Sequence, residues 1–205
     1  MDSLAAIGLG LHSGWASAVL MAEGSAGIPG LMARRRIILC EEPQAKQPYH
    51  AAESMKLGEA EAFIEKCRAA TVALAARALM QLREEAAARD LAGIGLAASP
   101  ARELPPLDKV LHSHALIHAA EGVFYRETVI DAGKRLGLEV HVITGRAAAD
   151  FLSGAGEVRE ALEQVGKRAG PPWTIDEKCA SLAALALLPG PAQRFHLETL
   201  GQPTD

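Results

Sequence analysis

The run Leu91 to Ala98 (LAGIGLAA) constrains the chain more than any other segment. It is unbroken small and apolar sequence set between two long helical patterns. A strand without polar alternation has both faces covered, so the run predicts a parallel strand in the middle of a sheet with helices on either side. Before it, from Leu57 to about Arg89, the residues Ala60, Phe63, Ile64, Cys67, Thr71, Leu74 and Ala78 recur at helical spacing and share one face. Alanine enrichment adds intrinsic helix propensity there. After it, Ser99-Pro100 ends the strand and Pro105-Pro106 precedes a second helix from about Asp108 to Leu136, with Gly137 as its C-terminal cap. Leu138 to Thr144 (LEVHVIT) then reads as a strand closed by Gly145.

The chain ahead of this pattern holds three short apolar runs: Leu4 to Leu11, Trp15 to Met21 and Leu31 to Cys40. They are separated by His12-Ser13-Gly14 and by a loop rich in glycine, which predicts an antiparallel meander. Glu41 to Pro48 is expected to be an irregular connection. Behind the pattern, a helix is expected over Glu157 to Arg168, a break at Pro171-Pro172, and an apolar helix over Ile175 to Leu188. Strands in succession followed by alternating helix and strand imply an α/β fold, a five-stranded mixed sheet with helices on both faces in three layers. Residues 1–190 are expected to form one domain and 191–205 a polar C-terminal tail. Ile7 to Leu9, Ile94 to Leu96 and Val140 to Ile143 should be its central parallel strands.

A chain of 205 residues, 49% hydrophobic, can bury one sizeable core without metals or disulfides. Lys+Arg 21 against Asp+Glu 25 leaves a net charge of -4, without the basic excess of a dedicated nucleic-acid binder. A local basic stripe is still compatible with that balance. Cys40, Cys67 and Cys179 stand far apart, which excludes a zinc ribbon and suits a reducing compartment. The N-terminal run is too short and broken for a membrane span and lacks the basic start of a signal peptide. The expectation is a cytoplasmic protein with no membrane segment. The last apolar helix suits either the core or a dimer interface, so a homo-oligomer stays open, and no cofactor is named by the sequence.

Leu111 to Arg126 (LHSHALIHAAEGVFYR) is the segment richest in chemistry. His114, His118, Glu121 and Tyr125 stand at i, i+4, i+7 and i+11 and share one helical face. Imidazoles at i and i+4 can reach one metal, and a carboxylate one turn later can be a ligand or orient an imidazole. The same residues also suit a buried polar seam bonded internally. The sequence identifies no ligand elsewhere in the chain to complete such a site, so both readings stand. Arg34, Arg35 and Arg36 alternate across a strand and do not form one patch; they are expected to block strand pairing at a sheet edge, and the alternative is contact with phosphates through their planar forks. Tyr49-His50, after Pro48, are placed over the same end of the sheet on residue type alone. Trp173 is expected to anchor the last helix by packing.

The order of elements resembles the ribonuclease-H-like arrangement, and within it the RuvC kind of Holliday-junction resolvase. AIGLGLHSGWASAVLM (Ala6 to Met21) resembles that family's opening hairpin. PPLDKVLHSHALIHAAEGVFYRETVIDAGKRLGLEVHVI is similar to its fourth-strand exit, long helix and fifth strand, and VREALEQVGKRAGPPWTIDEKCASLAALALL to its closing helices. The resemblance implies two divalent cations held between carboxylates that activate water. This sequence departs from that pattern. Gly10 stands at the first-strand aspartate, Ala97 or Ala98 near the fourth-strand glutamate, and Cys179 about where a second acid of the last helix would be. Asp176 and Glu177 alone match, as metal ligands, and one or two carboxylates do not build a two-metal cage. LAAIGLGLHSGWASAVLM is also similar to the first phosphate loop of actin-like ATPases, which enclose nucleotide between two such domains.

In a sheet of this kind the ends of strands one and four lie side by side, so His12, Ser13, Ser99 and the start of the second helix should meet on one rim. Ser13 beside an imidazole could be a nucleophile, and it could equally be a turn serine. The catalytic candidates are therefore His12, Ser13, His114, His118 and Glu121. The leading expectation is a noncatalytic or altered-chemistry relative of RuvC-like nucleases that binds nucleic acid or nucleotide. The alternatives are an enzyme or ligand-binding protein using the His/Glu face, with or without a metal, and an interaction module.

Overall fold

The computed structural model describes residues 4–24, 29–87, 89–98, 103–144, 157–189 and 198–200. The three N-terminal runs form the meander, as β1 (Leu4–His12), β2 (Trp15–Ala22) and β3 (Gly30–Ile38). The turn between β1 and β2 needs Gly14, whose φ is +83° and whose missing side chain leaves room for Lys46. The connection after β3 is more ordered than its sequence suggests. A 3-10 turn over Pro43–Lys46 leads into a short helix α1 (Pro48–Ala52), with Pro48 at the first helical position where its fixed φ fits.

Helix α2 (Leu57–Glu85) buries Ala60, Ile64, Cys67 and Thr71 of the anticipated face, but its buried stripe continues through Val72, Ala75, Leu79 and Leu82, while Phe63, Leu74 and Ala78 are only half-buried. It ends earlier than Arg89, because Ala87 turns into the left-handed region at φ +56°. Strand β4 (Asp90–Ala98) follows. The long helix expected from Asp108 is two helices, α3 (Leu107–Leu111) and α4 (His114–Arg135). They part at Ser113, whose extended backbone (φ -138°, ψ 109°) starts α4 afresh. Beyond come β5 (Val140–Thr144), α5 (Glu157–Ala169) and α6 (Ile175–Leu185), the last stopping short of Leu188. Glu198–Leu200, inside the stretch expected to be a polar tail, forms a short strand β6.

The strands make one sheet in the order β3-β2-β1-β4-β5-β6. β1 pairs with β4, and β4 with β5, in parallel; β2, β3 and β6 run antiparallel to their neighbours. The five expected strands are present in a mixed sheet, and β6 adds a sixth at the β5 edge.

Two cores flank the sheet. Ile7, Leu9, Leu20, Ile94 and Leu96 point toward α2 and α4, where they meet Leu79, Leu82 and Val129. Ala6, Val19, Met21 and Ile143 point the other way, toward Leu162 of α5 and Ala180, Leu182 and Ala183 of α6. The α6 layer lies close because Gly8 and Gly95 present no side chain. A Cβ on Gly8 would stand 1.9 Å from the Ala180 carbonyl oxygen, and one on Gly95 2.2 Å from that of Ala183. No described helix is long and apolar enough to cross a membrane.

Candidate functional site

The parallel pairing of β1 and β4 brings their C-terminal ends together, with Gly10 opposite Ala97. Both face the α6 side, where a Cβ on Gly10 would lie 3.4 Å from the backbone oxygen of Asp176. The three positions singled out from strand one, strand four and the last helix therefore converge. What surrounds them is a set of cation and aromatic contacts. His12 Nε2 lies 3.1 Å from Asp176 Oδ2, and the His12 ring stacks on Trp15 with centroids 3.9 Å apart. The exposed Arg36 places its guanidinium carbon 3.6 Å from the centre of the same indole, a geometry that favours a cation against a ring face.

Asp176 and Glu177 open α6, where negative charge complements the helix dipole. Glu177 is the acid of a capping box: its Oε2 accepts from the Thr174 N–H at 2.7 Å, and the Glu177 N–H donates to Thr174 Oγ1. Its other oxygen accepts from Arg34 Nη1 at 3.4 Å. Arg34 also donates to the carbonyls of Ala169 and Pro172, so it ties β3 to the segment before α6. Arg35, on the opposite face, pairs with Glu85 of α2. The arginine triplet thus divides between the two faces as its alternation requires. Cys179 is half-buried; burial, aided by the charge of Asp176, pushes its thiol up. Ser13 is exposed at the tip of the hairpin turn, while Ser99 lies outside the described residues.

A second constellation occupies the opposite helical layer, at the N-terminus of α4. A helix that follows β4 and runs back along the sheet starts at the strands' C-terminal end, so the cluster stands at the same end as His12. Glu121 is buried at 4% exposure. Its Oε1 accepts from the Tyr49 N–H at 2.9 Å and the His50 N–H at 3.2 Å, and lies 3.4 Å from His50 Nδ1. These N–H groups belong to the first turn of α1, which have no partners within their own helix. One carboxylate thereby fixes α1 against α4 and turns the His50 imidazole toward the α4 histidines. His114 Nε2 and His118 Nε2 stand 3.0 Å apart, and the His50 ring lies 4.7 Å from that of His118 and 5.5 Å from that of His114.

Burial raises the Glu121 carboxyl, opposed by the two backbone donors and by His50. Its second oxygen, Oε2, is buried without a hydrogen-bond partner. Tyr125, one turn on, donates to the Lys46 carbonyl at 2.7 Å, and burial raises its phenol. Lys46 in turn packs over Gly14, so a single connection links the hairpin turn to the base of the cluster. His114, His118 and Glu121 share a face of α4, and His50 is what connects them: it meets Glu121 through Nδ1 and lies with its ring against those of His114 and His118. His114 and His118 are exposed and Glu121 is buried, so the cluster spans from core to solvent. His50 stood outside the helical pattern, and only its residue type pointed to it.

The meander, the central parallel strands and the helical layers on both faces define the ribonuclease-H-like fold. Among solved structures, the chain is similar to Thermus thermophilus RuvC in complex with a Holliday junction substrate. That match has a TM-score of 0.57 at 12% identity and covers 96% of this chain and 99% of that one. A further structure of Thermus thermophilus RuvC matches with a TM-score of 0.51 at 11% identity, over 88% of this chain and 91% of that one. At such identity the likeness establishes the fold. No protein-family profile and no curated protein sequence matches the chain.

Proposed function

We propose that this chain is a ribonuclease-H-like protein that binds nucleic acid at the strand-end rim, without the two-metal nuclease chemistry the fold usually carries. The observation that carries this reading is the Gly10–Ala97 pairing beside Asp176. A two-metal site needs several carboxylates converging on hard cations. Here glycine and alanine stand on the two strands, Glu177 is engaged by its own cap and by Arg34, and Cys179 is a half-buried thiol whose pKa is raised. Asp176 alone remains, and it faces His12. These residues do not fit the metal pair, so no cleavage step runs through it.

Nucleic-acid binding is supported by the similarity to a RuvC bound to a Holliday junction and by the character of the rim. His12, Trp15 and the exposed Arg36 form a stacked set of flat groups beside Asp176, suited to a base face and a phosphate. The test is a binding titration with branched and single-stranded DNA and RNA across salt concentrations, with cleavage monitored in Mg2+ and Mn2+. Affinity should fall linearly in log–log form as counterions are released, with a slope about one unit shallower for Arg36→Ala. No cleavage is expected. Cleavage abolished by Asp176→Asn would overturn the chemical half of the proposal; absence of binding at low salt would overturn the other half.

A further inference from the structure

The His50, His114 and His118 cluster belongs to the opposite helical layer and takes no part in the rim reading, so it stands or falls separately. We infer that it is a mononuclear transition-metal site of the zinc class: three imidazole ligands, with a fourth position open to solvent. One ring nitrogen from each histidine lies within 4.8 Å of the other two. The Nε2 atoms of His114 and His118 are already 3.0 Å apart. In a tetrahedral site with Zn–N bonds of about 2.0–2.1 Å, two ligand nitrogens are separated by about 3.3 Å. The α4 pair therefore needs almost no movement to share an ion, and a small approach of the His50 ring completes three sides of a tetrahedron.

The second line of support is Glu121. A metal-bound imidazole donates its other N–H to a carboxylate or carbonyl, which fixes the ring and strengthens it as a ligand. His50 Nδ1 is held by Glu121 Oε1 at 3.4 Å, which leaves Nε2 as the nitrogen available to an ion, and the ring lies 4.7 Å from that of His118. The same oxygen accepts two backbone N–H groups of α1, so the orienting carboxylate is itself held from three directions. It is buried, with Oε2 unpartnered, and a bound cation nearby compensates a desolvated carboxylate. Neutral nitrogen donors select zinc and its neighbours over magnesium or calcium, which take oxygen. Because His114 and His118 are exposed, the open position faces solvent and can hold water or an exchangeable anionic ligand. That is the pattern of zinc sites that do chemistry, whereas structural sites close all four positions.

The experiment uses the full chain without a histidine tag, stripped with chelator and titrated with Zn2+ against a chromophoric competitor. One equivalent should bind. His114→Ala, His118→Ala and His50→Ala should each weaken binding at least tenfold, and Glu121→Gln by about 10–100-fold. The exposed His118→Ala should leave the circular dichroism spectrum unchanged, so it decides the matter even where the buried Glu121→Gln fails to fold. Co2+ in place of Zn2+ should give the intense visible bands of a tetrahedral ion. Loss in His114→Ala and His118→Ala but not in His50→Ala would reduce the site to a surface chelate and overturn the inference. So would binding without a stoichiometric end point.

Discussion

At the scale of single residues, spacing within one helix was legible and contact between helices was not. His114, His118 and Glu121 could be placed on one face because 3.6 residues make a turn. Their partner His50 lies 71 residues from Glu121 in sequence, and only the packing of α1 on α4 brings the two together. Asp176 was legible as an acid at a helix start; its engagement with His12 was not, since that depends on how closely α6 approaches β1. His141 drew no attention in the sequence, yet it is half-buried on β5, and burial lowers its pKa although Glu139 pulls the other way. The folded chain thus binds a proton at His141 less readily than the unfolded chain does. As pH falls through the ordinary histidine value of about 6.5, the unfolded state takes up more protons and stability declines. Urea unfolding of the natural chain and of His141→Gln should differ by a constant amount above about pH 7.5, with the natural chain losing ground toward pH 5. The opposite drift would mean that Glu139, not burial, governs the site.

At the scale of elements, the helices were readable because each buries a face at helical spacing, and the central strands because their apolar runs lack polar alternation. The boundaries that failed are those set by backbone conformation. Ser113 interrupts what spacing alone reads as one helix, and Ala87 ends α2 before its polar residues run out. Masked from any periodicity argument, too, were α1, which is one turn long, and β6, which exists only by pairing with β5. The start of α6 shows a boundary that sequence does carry: Thr174 and Glu177 satisfy each other's backbone donors in a capping box. Since Glu177 also accepts from Arg34, this cap fixes the helix to β3 as well as starting it. Thr174→Ala should cost about 1 kcal/mol of stability, the usual effect of deleting a capping hydroxyl. Thr174→Ser, which keeps the oxygen, should lose little, and chemical denaturation of both variants measures the difference.

At the scale of the whole molecule, the two helical layers approach the sheet on different terms. On the α2/α4 side, large side chains such as Ile7, Leu9, Leu79 and Leu96 set the spacing. On the α6 side, Gly8 and Gly95 let the helix backbone come down onto the strands. Apolar runs punctuated by glycine made the buried strands recognisable, but which face the glycines serve is decided by register. Gly8 and Gly95 are paired in adjacent strands and face the same helix. Such contact is between backbone atoms, so no rotamer change relieves an added Cβ, and α6 must lift as a body. Lifting it opens the second core around Val19, Met21 and Leu182 and shifts Asp176 away from His12. Gly8→Ala should therefore destabilise the protein by about 1–3 kcal/mol, the usual range for overpacking. Hydrogen exchange gives the sharper readout. Amides of α6 should lose protection in Gly8→Ala well before those of α2 and α4, because only one layer is displaced. Uniform loss across both layers would show that the two cores respond as one unit and that the close approach at Gly8 is not what seats α6.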